Sequence, residues 1–128
     1  MSIGGEGAHP LYWLDVFTDR PLAGNGLAVV LDADGVSEET MLAFAREVRL
    51  SETTFVQSAT GDGADYRNRI WTISDEIPFA GHPSLGTAVA MAINRARIAK
   101  DFLPRGAARF PSALGITGLG EEASAGRL

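Results

Sequence analysis

"LAVVLDADGVSEETMLAFAREVRLSETTFV", residues 27–56, decides the fold class. It sets an apolar run, an amphipathic stretch and a second apolar run one after another. "LAVVLD" (27–32) is short and apolar and reads as a strand. Ser37 stands where a helix N-cap belongs, with Glu38 and Glu39 following where the helix dipole favours negative charge. Met41, Leu42, Ala45 and Val48 recur at helical spacing, which predicts a helix over "SEETMLAFAREVRL" with one face packed on a sheet. "ETTFVQS" (52–58) then returns to a strand.

Upstream, "LYWLDVFT" (11–18) is rich in aromatic and β-branched residues and reads as a strand. "DRPLAGNG" joins it to "LAVVLD", and Asn25-Gly26 supplies the residue pair expected to provide the positive φ angles of a tight hairpin turn. Downstream, "ATGDGAD" reads as a loop and "YRNRIWTIS" (66–74) as a strand with polar and apolar alternation. "GHPSLGTAVAMAINRARI" is the second helix, with Leu85, Ala88, Val89, Ala92 and Ile93 as its expected buried face. The order is ββαββα, and most connections are too short for parallel crossovers, which favours an α+β fold over a doubly wound sheet. Residues 1–10 are Gly-rich and expected to be flexible, 11–100 form the folded domain, and 101–128 have the Gly-, Ala- and Pro-rich composition of a tail.

Composition narrows the function. The chain has 128 residues, 45% hydrophobic and 21% charged, as in an ordinary soluble domain. A net charge of −5 with scattered Lys and Arg argues against a nucleic-acid partner. With no cysteine, disulfides, thiolate metal sites and thiol catalysis are all excluded. "MSIGGEGAHP" lacks the pattern of a secretory signal, and no apolar run approaches the ~20 residues of a membrane span, so a cytoplasmic protein is expected.

Chemistry concentrates in two places. "EIPFAGHPSLGTA" sets a glycine-bearing turn directly before the second helix. Helix N-termini leave orphan N–H groups and a positive dipole end, which attract anions, and Pro83 suits the first turn. Gly81 and Gly86 are read as permitting close approach of a ligand, against the plainer reading of a strand-to-helix turn. Glu52 lies where a helix hands over to an apolar strand, either solvated or held in a cleft where burial raises a glutamate from about 4.3 towards the range of a general base. His82 is an acid, a base or a satisfied hydrogen-bonder. The only other histidine, His9, is far off in sequence, which disfavours a metal site. Ser84 sits in G-x-x-S-x-G rather than the G-x-S-x-G of a nucleophile elbow.

Taken together, "LDVFTDRPLAGNGLAVV", "RLSETTFV" and "IPFAGHPSLGTA" resemble the N-terminal half of the PhzF family of phenazine-biosynthesis isomerases, relatives of diaminopimelate epimerase. The likeness runs from about Tyr12 to about Ala99. It implies one half of a diaminopimelate-epimerase-like fold, with strands wrapped around a central helix and an active site in a cleft between two halves. It also implies a cofactor-independent isomerase in which Glu52 of "SETTF" shuttles a proton and His82 of "FAGHP" lines the site. Gly24, Asn25, Ser51, Gly81, Pro83 and Ser84 are then the expected substrate-binding residues, and the substrate a small carboxylated, aromatic or cyclohexadiene compound. The family usually carries Gly-Asn-Pro where this chain has Gly24-Asn25-Gly26. Family members are about twice as long, and nothing after Ala99 resembles their second half, so a truncated chain is expected, one that a homodimer would complete across the two-fold axis.

Overall fold

Strand β2 (Asn25–Val30) lies inside the sheet, and Leu27, Ala28, Val29 and Val30 are all fully buried, as its unbroken apolar run requires. The computed structural model describes residues 8–102 and 116–118. Around β2 stand β1 (Leu11–Val16), α1 (Glu38–Val48), β3 (Thr53–Gln57), β4 (Arg67–Trp71), β5 (Glu76–Ile77), α2 (Gly81–Phe102) and β6 (Ile116–Gly118). The sheet order is β5-β4-β3-β2-β1-β6. Among the described strands, only β2 and β3 pair in parallel, in the register Ala28↔Thr53, and α1 makes the crossover between them. The result is α+β.

Alternation along the strands sends side chains to two cores. Tyr12, Leu14, Val16, Leu27, Val29, Leu31 and Val56 face α2 with Ala90, while Val30, Phe55 and Trp71 face α1 with Met41 and Ala45. Helix α1 begins as its sequence foretells: Ser37 Oγ accepts from the Thr40 amide at 3.1 Å. It stops at Arg49, whose left-handed backbone (φ 58°) lets its amide reach the Ala45 carbonyl.

Several expectations give way. Asn25-Gly26 is no hairpin turn: neither residue has positive φ, and both belong to β2, paired with Val16 and Asp15. The connection is the longer loop 17–24, where Phe17 and Leu22 take the positive φ values. Strand β5 adds a short edge beyond β4, and β6 adds another beside β1, so the order runs ββαβββαβ. The rest of the tail lies outside the described residues.

The phase of α2 also differs. Pro83, Gly86, Thr87 and Ala90 are its buried line, Leu85, Val89 and Ile93 flank it, and Ala88 is exposed. Strand side chains already fill this core, leaving room only for small residues along the contact. A Cβ on Gly86 would fall 2.5 Å from Leu27 Cδ2 and 3.0 Å from Val16 Cγ2. Gly86 therefore admits the helix to the sheet, not a ligand to the helix.

On the α1 side, Arg69 is buried at 7% exposure. Its Nε and one terminal nitrogen reach both oxygens of Glu76 at 2.7 and 2.6 Å, and the same terminal nitrogen reaches Glu38 at 2.7 Å. Its guanidinium carbon lies 5.7 Å from the Trp71 ring centre. These bonds to Glu76 and Glu38 hold the guanidinium well above its ordinary range, and hold the Glu76 carboxyl below its own.

Candidate active site

Parallel pairing puts the starts of β2 and β3 at one end of the sheet, and α2 starts there too. Three separated segments, 24–25, 51–52 and 81–84, thus meet. Thr53 and Phe55 belong to the side of β3 facing α1, so Glu52 and Thr54 turn towards α2.

Glu52 and His82 are brought together. His82 Nδ1 lies 3.4 Å from Glu52 Oε2, with the side chains only 9% and 19% exposed. That separation is long for a hydrogen bond. Glu52 Oε2 and His82 Nε2 are both buried without a hydrogen-bond partner. Buried polar groups are normally paired, and each left unmade costs about 1–3 kcal/mol. A carboxylate and an imidazole in this arrangement can take a proton from a carbon and return it, and among the described residues no third side chain is hydrogen-bonded to either.

The neighbouring loop is fixed by a residue that sequence reasoning passed over. Asp15 is 8% exposed, and its Oδ2 accepts from the amides of Ala23 at 2.9 Å and Gly24 at 3.1 Å. A Cβ on Gly24 would sit 2.3 Å from the Val16 carbonyl oxygen, so only glycine fits against this strand end. Asn25 follows, and its Oδ1 accepts from the Ser51 hydroxyl at 3.5 Å. The signal for Asp15 was a charged residue among the apolar ones of "LYWLDVF".

The helix start divides its expected roles. Nothing lies within 4 Å of a Cβ built on Gly81, so space is open in front of it. Pro83 is fully buried against the sheet, and the Ser84 hydroxyl donates to the Ala80 carbonyl at 2.8 Å, closing the first turn. An open groove of about 580 Å³, lined by Arg46, Arg49, Leu50, Ser51 and Ile73, lies at the C-terminal end of α1, but neither Glu52 nor His82 lines it. Among the described residues, no group of three or more His, Cys, Asp or Glu is arranged to hold a metal, and no helix is long and apolar enough to cross a membrane.

Comparison with known proteins shows the family. The PhzC-PhzF family, described as phenazine biosynthesis-like protein, matches residues 14–103. The chain is 51% identical over 83 residues to the trans-2,3-dihydro-3-hydroxyanthranilate isomerase of Pseudomonas aeruginosa, a match covering 65% of this chain and 30% of that one. It is 47% identical over 83 residues to antisense-enhancing sequence 1 of Schizosaccharomyces pombe, covering 65% and 28%. Among solved structures, a predicted epimerase of Pseudomonas aeruginosa is 43% identical with a TM-score of 0.63, covering 69% of this chain and 31% of that one. The chain thus spans about 30% of the length of the curated relatives it matches.

Proposed function

The chain belongs to the PhzC-PhzF family of phenazine biosynthesis-like proteins, and from that premise we propose that it is a cofactor-independent isomerase or epimerase that moves a proton on a small carboxylated substrate. The observation that carries this reading is the buried Glu52–His82 pair, each with an unpartnered polar atom at one open-ended helix start. Glu52 takes the proton from a carbon activated by a neighbouring conjugated or carboxylated group and returns it to another position, the double bond shifting between. One proton leaves and one arrives, so no oxidant or reductant enters. His82 orients the carboxylate through Nδ1 and presents Nε2 to a substrate oxygen. Gly81, with free space before it and the positive end of α2 behind, faces the substrate carboxylate.

The active unit in this reading is a pair of chains. Phe17, Leu22 and Phe79 are 63%, 84% and 71% exposed, and all three belong to segments at the site's end of the sheet. A second copy would cover them and supply the facing wall of the cleft.

The test is solvent-deuterium incorporation into trans-2,3-dihydro-3-hydroxyanthranilate, the substrate named for the Pseudomonas relative. The chain should catalyse it, and Glu52→Gln should lower the rate by about 100-fold or more while the fold survives. Equal rates would overturn the assignment. Saturable binding without exchange would identify a carboxylate-binding domain that does not turn over.

A further inference from the structure

Thr54 and Thr87 have no part in the chemistry above, yet their hydroxyl oxygens lie 2.9 Å apart and both residues are 0% exposed. Thr54 lies in β3, two positions after Glu52, and Thr87 in α2, five positions after His82. We propose that this hydroxyl pair is a positioning device: it fixes where α2 sits along β3, and so sets the distance between Glu52 and His82. The inference rests on the pairing of those two residues in the proposed site.

The physical need comes from how α2 is seated. Its buried line is Pro83, Gly86, Thr87 and Ala90, with the larger Leu85, Val89, Met91 and Ile93 packed at its flanks. Such packing resists separation of helix and sheet, and a slide of the helix along β3 is opposed further by any directional bond between the two. A hydroxyl–hydroxyl bond is directional and opposes that slide. Stability alone does not account for it, since two valines would fill the same space, and replacing both partners of a buried bond by apolar groups of equal shape is nearly neutral. The Glu52–His82 approach, at 3.4 Å, has no slack: a shift of about 1 Å separates the pair, and displacements of that size cost about 100-fold in catalysis.

A second bond provides the control. Tyr12 donates to Asn94 Oδ1 at 3.2 Å, also joining the sheet to α2. Asn94 lies about 18 Å along the helix from His82, against about 7–8 Å for Thr87. The near bond governs the site and the far one does not.

The experiment reads the nitrogen chemical shifts of the His82 ring at one fixed neutral pH. Glu52 is the one titratable group within ion-pair distance of His82 among the described residues, so Glu52→Gln should move those shifts in the otherwise native chain. In Thr54→Val or Thr87→Val backgrounds that response should be lost, although the amide spectrum shows a folded chain. Thr54→Ser and Thr87→Ser, which keep the hydroxyl, should retain it, as should Tyr12→Phe. Folded valine variants with the full native response would overturn the proposal. Should a single valine variant not fold, the Thr54→Val/Thr87→Val double variant leaves no hydroxyl orphaned and reads the same quantity. Absence of any response to Glu52→Gln in the native background would instead overturn the Glu52–His82 pairing, and the threonine device with it.

Discussion

Two buried ionic groups on opposite sides of the sheet differ in one respect. Arg69 is surrounded: three contacts of 2.7 Å or less tie it to Glu38 and Glu76, and Trp71 covers its face. Glu52 and His82 are largely buried too, but among the described residues their one polar side-chain neighbour is each other, at 3.4 Å, with one atom of each left unpartnered. A satisfied cluster joins α1, β4 and β5 and serves the architecture. An unsatisfied one costs stability and gives no structural return, as expected of groups kept ready for a ligand.

That contrast can be broken by experiment. The largest effect expected is on turnover: Glu52→Gln should remove about 100-fold or more of deuterium exchange while leaving the urea midpoint unchanged or slightly raised, because the carboxylate it replaces has a buried oxygen with no hydrogen-bond partner. Arg69→Met should do the reverse, lowering stability by about 2 kcal/mol in urea titration while the Glu52–His82 spacing persists, since Glu38 is largely exposed and the full penalty for a broken buried pair is not reached. If the two variants cost equal stability, the distinction fails.

Acid should sharpen the same difference. Glu76 is held below its ordinary value, first by its hydrogen bonds to Arg69. Its contribution is therefore complete above the unfolded-state value of about 4.3 and is lost as pH falls through the lower folded-state value. Thermal unfolding followed from pH 6 downward should show a falling Tm in that window, and the fall should be shallower in Arg69→Met. The smallest effect expected is at the loop. Asp15→Asn should cost about 1 kcal/mol and accelerate amide exchange at Ala23 and Gly24, which lose a charged acceptor.

Much of this was legible beforehand. Ser37 announced the start of α1, the apolar run 27–32 a strand, and the motifs "SETTF" and "FAGHP" the two residues, Glu52 and His82, that the structure brings together. The errors have a common origin. Asn25-Gly26 has the composition of a turn, but its backbone is taken up by pairing with Val16 and Asp15. Leu85 and Val89 do pack on the sheet, but only at the flanks of the contact: the space directly under the helix is too tight for a Cβ at position 86, so Gly86 and Thr87 are turned inward and Ala88 outward.

By itself the sequence determined what local chemistry controls: caps, periodicity and the absence of thiol chemistry. Only the tertiary structure decided the contacts between segments far apart in the chain. Which face of α2 meets the sheet, how Asp15 clamps Gly24, how Thr54 meets Thr87, and that Glu52 reaches His82 thirty positions later all depend on close packing. A local pattern says which residues a segment can bury, but the volume left by the rest of the chain says which it does.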